Sequence, residues 1–232
     1  MVFYAGAVTG TAGDLFQLSL FEGSAEAYDP SGNGQDHGVT VGRLDGVVQR
    51  VVLGDGAWLD IRPEWLGGAA ELFDQLRLTV PWRAERRVMY ERSVAVPRLL
   101  AFYDEAQPLP DAALEQARTA LNHHYAEELG EQFRTAGLCL YRDGRDSVAW
   151  HGDRIGRGAT EDTMVAIVSL GAPRALQLRP RGGGAVRRLT VGHGDLVVMG
   201  GSCQRTWEHA VPKSARPIGA RISVQFRPRG VQ

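Results

Sequence analysis

The sequence predicts a mainly β protein, a sandwich or jelly roll of short strands in its C-terminal half behind an α+β N-terminal part. Three observations carry this prediction. From Gly137 onward, β runs at 138–142, 147–150, 163–170, 174–179, 185–191, 195–199, 206–211 and 219–227 alternate with glycine-rich turns, the texture of a two-layered antiparallel fold. Ahead of them one well-marked amphipathic helix spans about 111–129. A chain of 232 residues with 44% hydrophobic side chains is also long enough to bury one sizeable core.

Taken in order, residues 1–45 are weakly patterned and 28–38 are rich in turn formers, so 1–45 is expected to be a mobile arm. Runs 47–53 and 57–61 flank Gly54-Asp55-Gly56 and read as a hairpin. A helix is expected over about 63–76, with Pro63 early, where its missing N–H costs little. Two β runs follow, 88–90 and 94–103, and Pro97 inside the second marks an edge or a bulge. Asp111 can cap the helix whose Leu114, Ala117, Leu121, Tyr125 and Leu129 share one face, and Gly130 can end it. The expected organisation is the arm at 1–45, an α/β extension at 46–136 and a β core at 137–232, the last two forming one structural domain.

A formal net charge of -1 and pI ≈ 6.6 exclude a polycation that coats nucleic acid non-specifically, so any such contact must be local. Lys213 is the only lysine, and arginine carries the rest of the positive charge. Cys139 and Cys203 sit in apolar runs without the close pairing of a zinc ribbon or a disulfide scaffold, which points to a reducing compartment. No segment approaches the roughly 20 apolar residues that span a bilayer. A cytoplasmic monomer without a membrane partner is expected.

Chemistry concentrates in two places. In Trp150-His151-Gly152-Asp153, a spacing of two sends His151 and Asp153 to one face of an extended segment, where both reach one ion. His209 lies in another β run, and a jelly roll can fold that strand beside the first. Two histidines and a carboxylate leave coordination positions open, as non-haem iron oxygenases require. A His-x-Asp pair alone says little, and a lone histidine in a β run is commonly a core residue; order and distance carry the reading. His37, His123, His124 and His193 are given no role. In Arg221-Ile222-Ser223-Val224-Gln225-Phe226-Arg227, polar and apolar residues alternate. The polar face could be solvated, or it could line the barrel and pair its guanidiniums with a dicarboxylate.

Segments 140–153, 194–201 and 207–212 with the closing RISVQFR resemble, in this order, the AlkB family of dioxygenases. The resemblance covers about 78–229 and is strongest from 137 onward. It implies a double-stranded β-helix (jelly roll, cupin-like) core, with helices packed on one sheet and an N-terminal nucleotide-recognition lid. It implies His151, Asp153 and His209 as catalytic iron ligands, with Fe(II), 2-oxoglutarate and O2 as cofactor and co-substrates. By the same resemblance Arg221 pairs the distal carboxylate of 2-oxoglutarate, Arg227 the carboxylate beside the keto group, and Tyr141 hydrogen-bonds the co-substrate. Segments 80–83 and 96–103 resemble the lid. Arg98, Phe102 and Tyr103, with Trp82 and Trp150, are the candidates for substrate contact, and Arg83, Arg86, Arg87, Arg92 and Arg98 make the lid basic.

Departures from the family pattern are also visible. Cys139 stands where the family usually has Asn, and Ser223 where an Asn often follows the first arginine, so both co-substrate neighbours lose an amide. Arg154 and Arg157 follow the metal carboxylate where acidic residues are usual. The implied function is oxidative dealkylation of N-alkylated bases in DNA, or RNA, with the base flipped out of its stack. The alternatives are a hydroxylase of a protein or small molecule, a non-catalytic cupin-like metal-binding module, and a partner-binding role for the arm.

Overall fold

The computed structural model describes residues 38–89 and 92–231, except for the side chains of 87–89 and 92–95. The expected arm up to residue 37, His37, and the side chains of Arg87 and Arg92 lie outside the described residues. In chain order the elements are β1 (Thr40–Val41), β2 (Gln49–Gly54), β3 (Ala57–Arg62), β4 (Leu66–Gly67), α1 (Ala69–Thr79), β5 (Arg83–Met89), β6 (Arg92–Tyr103), α2 (Ala112–His124) and α3 (Ala126–Leu129). Then come β7 (Phe133–Tyr141), β8 (Val148–His151), β9 (Val165–Gly171), β10 (Arg174–Pro180), β11 (Arg187–Val191), β12 (Leu196–Gly201), α4 (Cys203–Thr206), β13 (Trp207–Val211) and β14 (Arg221–Pro228). All eight β runs expected after Gly137 are strands.

Two sheets face each other as a jelly roll. The major sheet has the order β2-β3-β12-β9-β14-β7-β6-β5, and the minor sheet β11-β10-β13-β8. Both are antiparallel throughout. Strand parity divides the core in two. Odd residues of β9 and β14 (Val165, Ile167, Arg221, Ser223) point between the sheets, and even ones (Ala166, Val168, Ile222, Val224, Phe226) point to the outer face. There α1 contributes Leu72 and Leu76, and α2 contributes Leu114, Ala117 and Leu121, all essentially inaccessible to solvent. Burying five such leucine- and alanine-rich positions holds both helices against the sheet, at roughly 1.5–3 kcal/mol for each large side chain.

Three expectations need correction. The helix expected over 63–76 starts later, at Ala69. Glu64 has a positive φ of 50°, the Trp65 side chain is fully buried with its Nε1 donating to Gly42 O at 2.8 Å, and Leu66 pairs with Val41. That pairing also holds residues 40–41, expected to belong to the arm. The Cβ that Gly68 lacks would sit 2.2 Å from Gly38 O, so only glycine lets the chain turn there into α1. The helix expected over 111–129 breaks at Tyr125, whose φ of -98° and ψ of 11° separate α2 from α3. Its ring is buried and its hydroxyl donates to Asp60 Oδ2 at 2.9 Å, a tertiary demand that outweighs helical continuity. The Asp111 cap, accepting from Ala113 N at 2.7 Å, and the left-handed Gly130 end agree with the sequence.

Pro97 lies at a register shift between β5 and β6, where Ala84 faces Leu99 but Arg86 faces Ala95. It therefore interrupts no ladder. Its carbonyl accepts from Ser147 N at 2.8 Å, tying the hairpin of β5 and β6 to the loop before β8.

Asp60 is buried and receives Arg50 Nε and Nη2, both at 2.7 Å, as well as the Tyr125 hydroxyl. Tyr125→Phe is expected to lower stability by about 1–3 kcal/mol, because a buried carboxylate loses a donor without losing its charge. Urea unfolding checks the value, and unchanged metal affinity in the same variant would show that the effect stays on the helix side of the sheet.

Candidate metal and dicarboxylate site

Antiparallel pairing of β13 with β8 sets His209 directly opposite His151, and the two ring centroids are 4.2 Å apart. Asp153 follows two residues later. The ligand atoms of His151, Asp153 and His209 all lie within 4.8 Å of one another, a span that one metal ion bridges at ordinary bond lengths near 2 Å. His151 Nδ1 lies 2.8 Å from Ala149 O, which can only accept, so that nitrogen carries the proton. Nε2 faces Asp153, 3.8 Å from Oδ1, with the ring orientation fixed by the bond at Nδ1.

The electrostatics suit ligands rather than titrating groups. Burial pushes His209 down to about 3, with His151 and Arg227 adding to the effect against the pull of Asp153, so its imidazole is neutral. Burial alone would raise Asp153. Arg227, His209 and His151 outweigh it and hold the carboxyl at about 2, ionised. Arg227 Nε donates to Asp153 Oδ2 at 2.8 Å, and Gln204 Oε1 accepts from Asp153 N at 2.9 Å. Gly152 lets the segment pass close to its neighbours, because a Cβ there would lie 2.5 Å from Gln204 O and 3.2 Å from Trp207 O.

The same cavity continues along β14. Arg221, Ser223, Gln225 and Arg227 line it together with Cys139, Tyr141 and the apolar walls Val165, Ile167, Leu176 and Val211. Arg221 is buried. Its Nε donates to Ser169 Oγ at 2.8 Å, its guanidinium lies 5.3 Å from the Tyr141 ring centroid, and its Nη1 has no partner. Burial lowers its affinity for the proton, while Tyr141 and Cys139 act in the opposite direction. A buried guanidinium N–H without an acceptor is costly unless an anion reaches it. The residues therefore fit a carboxylate-bearing co-substrate next to a metal held by two nitrogens and one oxygen.

Similarity to known sequences bears on this site. Residues 83–227 match the model of the 2OG-Fe(II) oxygenase superfamily. The chain belongs to that superfamily. Its relatives are of the AlkB type: it is 30% identical over 186 residues to the bovine alpha-ketoglutarate-dependent dioxygenase alkB homolog 3, covering 70% of this chain and 64% of that protein. It is 28% identical over 208 residues to the human homolog 3, covering 79% of this chain and 69% of that protein. It is 28% identical over 200 residues to the Arabidopsis thaliana DNA oxidative demethylase ALKBH2, covering 67% and 60%. The chain thus spans just under two thirds of the bovine relative's length.

Within this AlkB-type fold the residues expected to contact substrate divide by parity. Arg98 lines the cavity, its Nη1 donating to Ser147 O at 3.3 Å. Phe102 pairs with Gly137, lies on the same side of β6 as Leu100 and is 51% exposed. Tyr103 and Trp82 face the other way, packed against the core beneath the helices, with Trp82 Nε1 donating to Arg77 O at 3.3 Å. Trp150 sits on the outer face of the minor sheet, 4.3 Å beneath the Arg179 guanidinium. None of the three lines the cavity: Tyr103 is one residue out of phase with the inward face of β6, Trp82 precedes β5, and Trp150 alternates with His151 where β8 and β13 shift register.

Three neighbours of the site carried no role in the sequence reading. Gln225 was legible as part of the polar face of 221–227. Ser169 was legible as the one hydroxyl in the run 165–171. Gln204 gave no signal, since a four-residue helix brings it to Asp153 through tertiary contacts alone. Gly152→Ala is expected to weaken metal binding about 10- to 100-fold, the range seen when groups that orient ligands are disturbed. Competition with a chelator measures it, and an unaltered affinity would refute the close-approach argument.

Proposed function

We propose that this protein is an Fe(II)- and 2-oxoglutarate-dependent dioxygenase that removes alkyl groups from N-alkylated bases, such as N1-methyladenine and N3-methylcytosine, in DNA or RNA. One observation carries the reading: the triad of His151, Asp153 and His209 shares a cavity with a buried guanidinium that has an open N–H. A structural zinc module would close its site with a fourth protein ligand. Among the described residues the group has three.

Bound iron and 2-oxoglutarate supply the chemistry, in which O2 oxidatively decarboxylates the co-substrate to succinate and CO2 and places one oxygen atom into a C–H bond. The protein's own residues bind and orient. His151 and His209 would present ring nitrogens to the metal, that of His209 neutral, and Asp153 is kept ionised chiefly by Arg227. Arg221 holds the distal carboxylate, with the Tyr141 hydroxyl beside it and the apolar walls excluding water. Hydroxylation of a carbon bonded to a ring nitrogen gives a product whose C–N bond then breaks, releasing aldehyde as the hydroxyl proton leaves and the nitrogen recovers its electron pair. A base inside a stack must be extruded to reach the cavity. Arg98, in the cavity wall, and the exposed Phe102 are the candidates for contact with it.

A polynucleotide substrate is favoured over a protein or small molecule by one further feature. Between Asp162 and Asp195 the chain has no acidic residue but carries Arg174, Arg179, Arg181, Arg187 and Arg188. Arg174 is used on backbone carbonyls and Arg179 on Glu208. Arg181, Arg187 and Arg188 form no ion pair among the described residues, and they flank the turn between β10 and β11. Since Leu178 faces His209 across the ladder, Arg181 lies three residues, about 10 Å, beyond the metal ligands. These arginines are the candidates for contact with phosphates flanking an extruded base.

Formaldehyde release from oligonucleotides carrying one N1-methyladenine or N3-methylcytosine tests the reaction. Wild type should release it, and both His151→Ala and Arg221→Ala should abolish it. Succinate formed on other substrates but not on these would overturn the assignment. Replacing Arg181, Arg187 and Arg188 with Ala should make the dependence of log Kobs on log salt shallower by about 2 to 3 for oligonucleotide binding, while 2-oxoglutarate binding stays unchanged.

A further inference from the structure

The polar face of β14 runs from Arg221 to Arg227, whose Cα atoms are six residues or about 20 Å apart. Both arginines line one cavity, and the Ser223 side chain lies between them on the same face of the strand. Ser223 is buried and faces Cys139 and Ser169 across the two neighbouring strands. Gln225 faces Gly137, where a Cβ would approach Gln225 Oε1 to 3.3 Å and Arg227 Nη1 to 2.9 Å. Glycine at 137 leaves room for both side chains.

The Gln225 carboxamide folds back along its own strand. Its Nε2 donates to Ser223 O at 3.2 Å and to Ser223 Oγ at 2.6 Å, and its Oε1 lies 3.6 Å from Cys139 Sγ. The direction of these bonds is decided by chemistry. Ser223 O is a carbonyl and can only accept, so the amide nitrogen must face it, and the amide oxygen is left to accept the Cys139 S–H. Because Ser223 Oγ accepts from Gln225, its own proton points elsewhere, and the cavity is the space it adjoins.

We propose that Cys139, Gln225 and Ser223 form a directed hydrogen-bond chain that presents the Ser223 hydroxyl proton to the dicarboxylate co-substrate, with Gln225 as the positioning residue. This rests on the reading of the cavity as a 2-oxoglutarate site. The chain runs from the thiol S–H to the amide oxygen, from the amide N–H to the hydroxyl oxygen, and from the hydroxyl proton into the cavity. Successive bonds of one sense polarise each other. The chain thereby supplies a neutral donor where Cys139 and Ser223 replace the amides of the family pattern. Gln225 does not touch the co-substrate; it acts through Ser223.

The test is an anaerobic titration of the Fe(II)-loaded full chain with 2-oxoglutarate, read by the visible charge-transfer band and repeated by calorimetry with Mn(II) in place of iron. Gln225→Met, of similar size and without a donor, and Ser223→Ala should each raise the 2-oxoglutarate Kd about fivefold to tenfold, with metal affinity unchanged. The double variant should bind no more weakly than Ser223→Ala alone. Cys139→Val, which removes the donor to Gln225 from the neighbouring strand, should weaken binding as well, and it decides the matter if a β14 variant fails to fold. Additive losses in the double variant, or an unchanged Kd in Gln225→Met, would overturn the chain while leaving the site intact. Absence of 2-oxoglutarate binding by the wild type would overturn the site itself.

Discussion

The ion pair between Asp153 and Arg227 is the contact on which the rest of the site depends, because it joins the two sheets where the metal ligands converge. Asp153 follows β8 of the minor sheet and Arg227 belongs to β14 of the major sheet. Both side chains are largely buried, at 6% and 14% exposure, and the pair is close at 2.8 Å. Taking two charges out of water is costly, and removing either partner would strand the other. The carboxylate therefore stays ionised and aimed at the histidines, and the guanidinium is committed to the metal side of the cavity. Of the two arginines on β14, Arg221 is the one with an open N–H deep inside.

Strand parity turns that local pairing into a molecule. The central strands β9 and β14 of the major sheet each send one set of side chains between the sheets and the other set toward the helices. The outer set is apolar along β9 and β14 and packs into a continuous layer with the helices. The inner set is mixed: Val165 and Ile167 wall the cavity, while Ser169 and the polar residues of β14 furnish hydrogen bonds. One apolar face per strand suffices to hold the sheet, which frees the other face to carry polar chemistry.

How much of this was legible in the chain depends on whether a feature is local. His151 and Asp153 were readable because a spacing of two in extended backbone puts both on one side without help from the fold. The alternation of 221–227, the Asp111 cap and the eight β runs were readable for the same reason. His209 needed the assumption that a distant strand pairs in register with the first, and the family resemblance supplied it. That Trp82, Tyr103 and Trp150 lie off the cavity wall was not readable, because aromatic identity says nothing about phase. Which face of a strand looks into the barrel is decided by what packs on the other side.

The amino-acid order alone determined the periodicities, the caps and the types of ligand available, since these follow from covalent geometry over a few residues. The tertiary structure alone decided the start of α1 at Ala69, the break at Tyr125, the approach of Gln204 to Asp153 and the course of the Gln225 carboxamide. Each of these answers to a group far away in the chain: Gly38, Asp60, Asp153 and Cys139. Such distances close only when the sheets form, because the free energy of burial belongs to the packed whole and to no single segment.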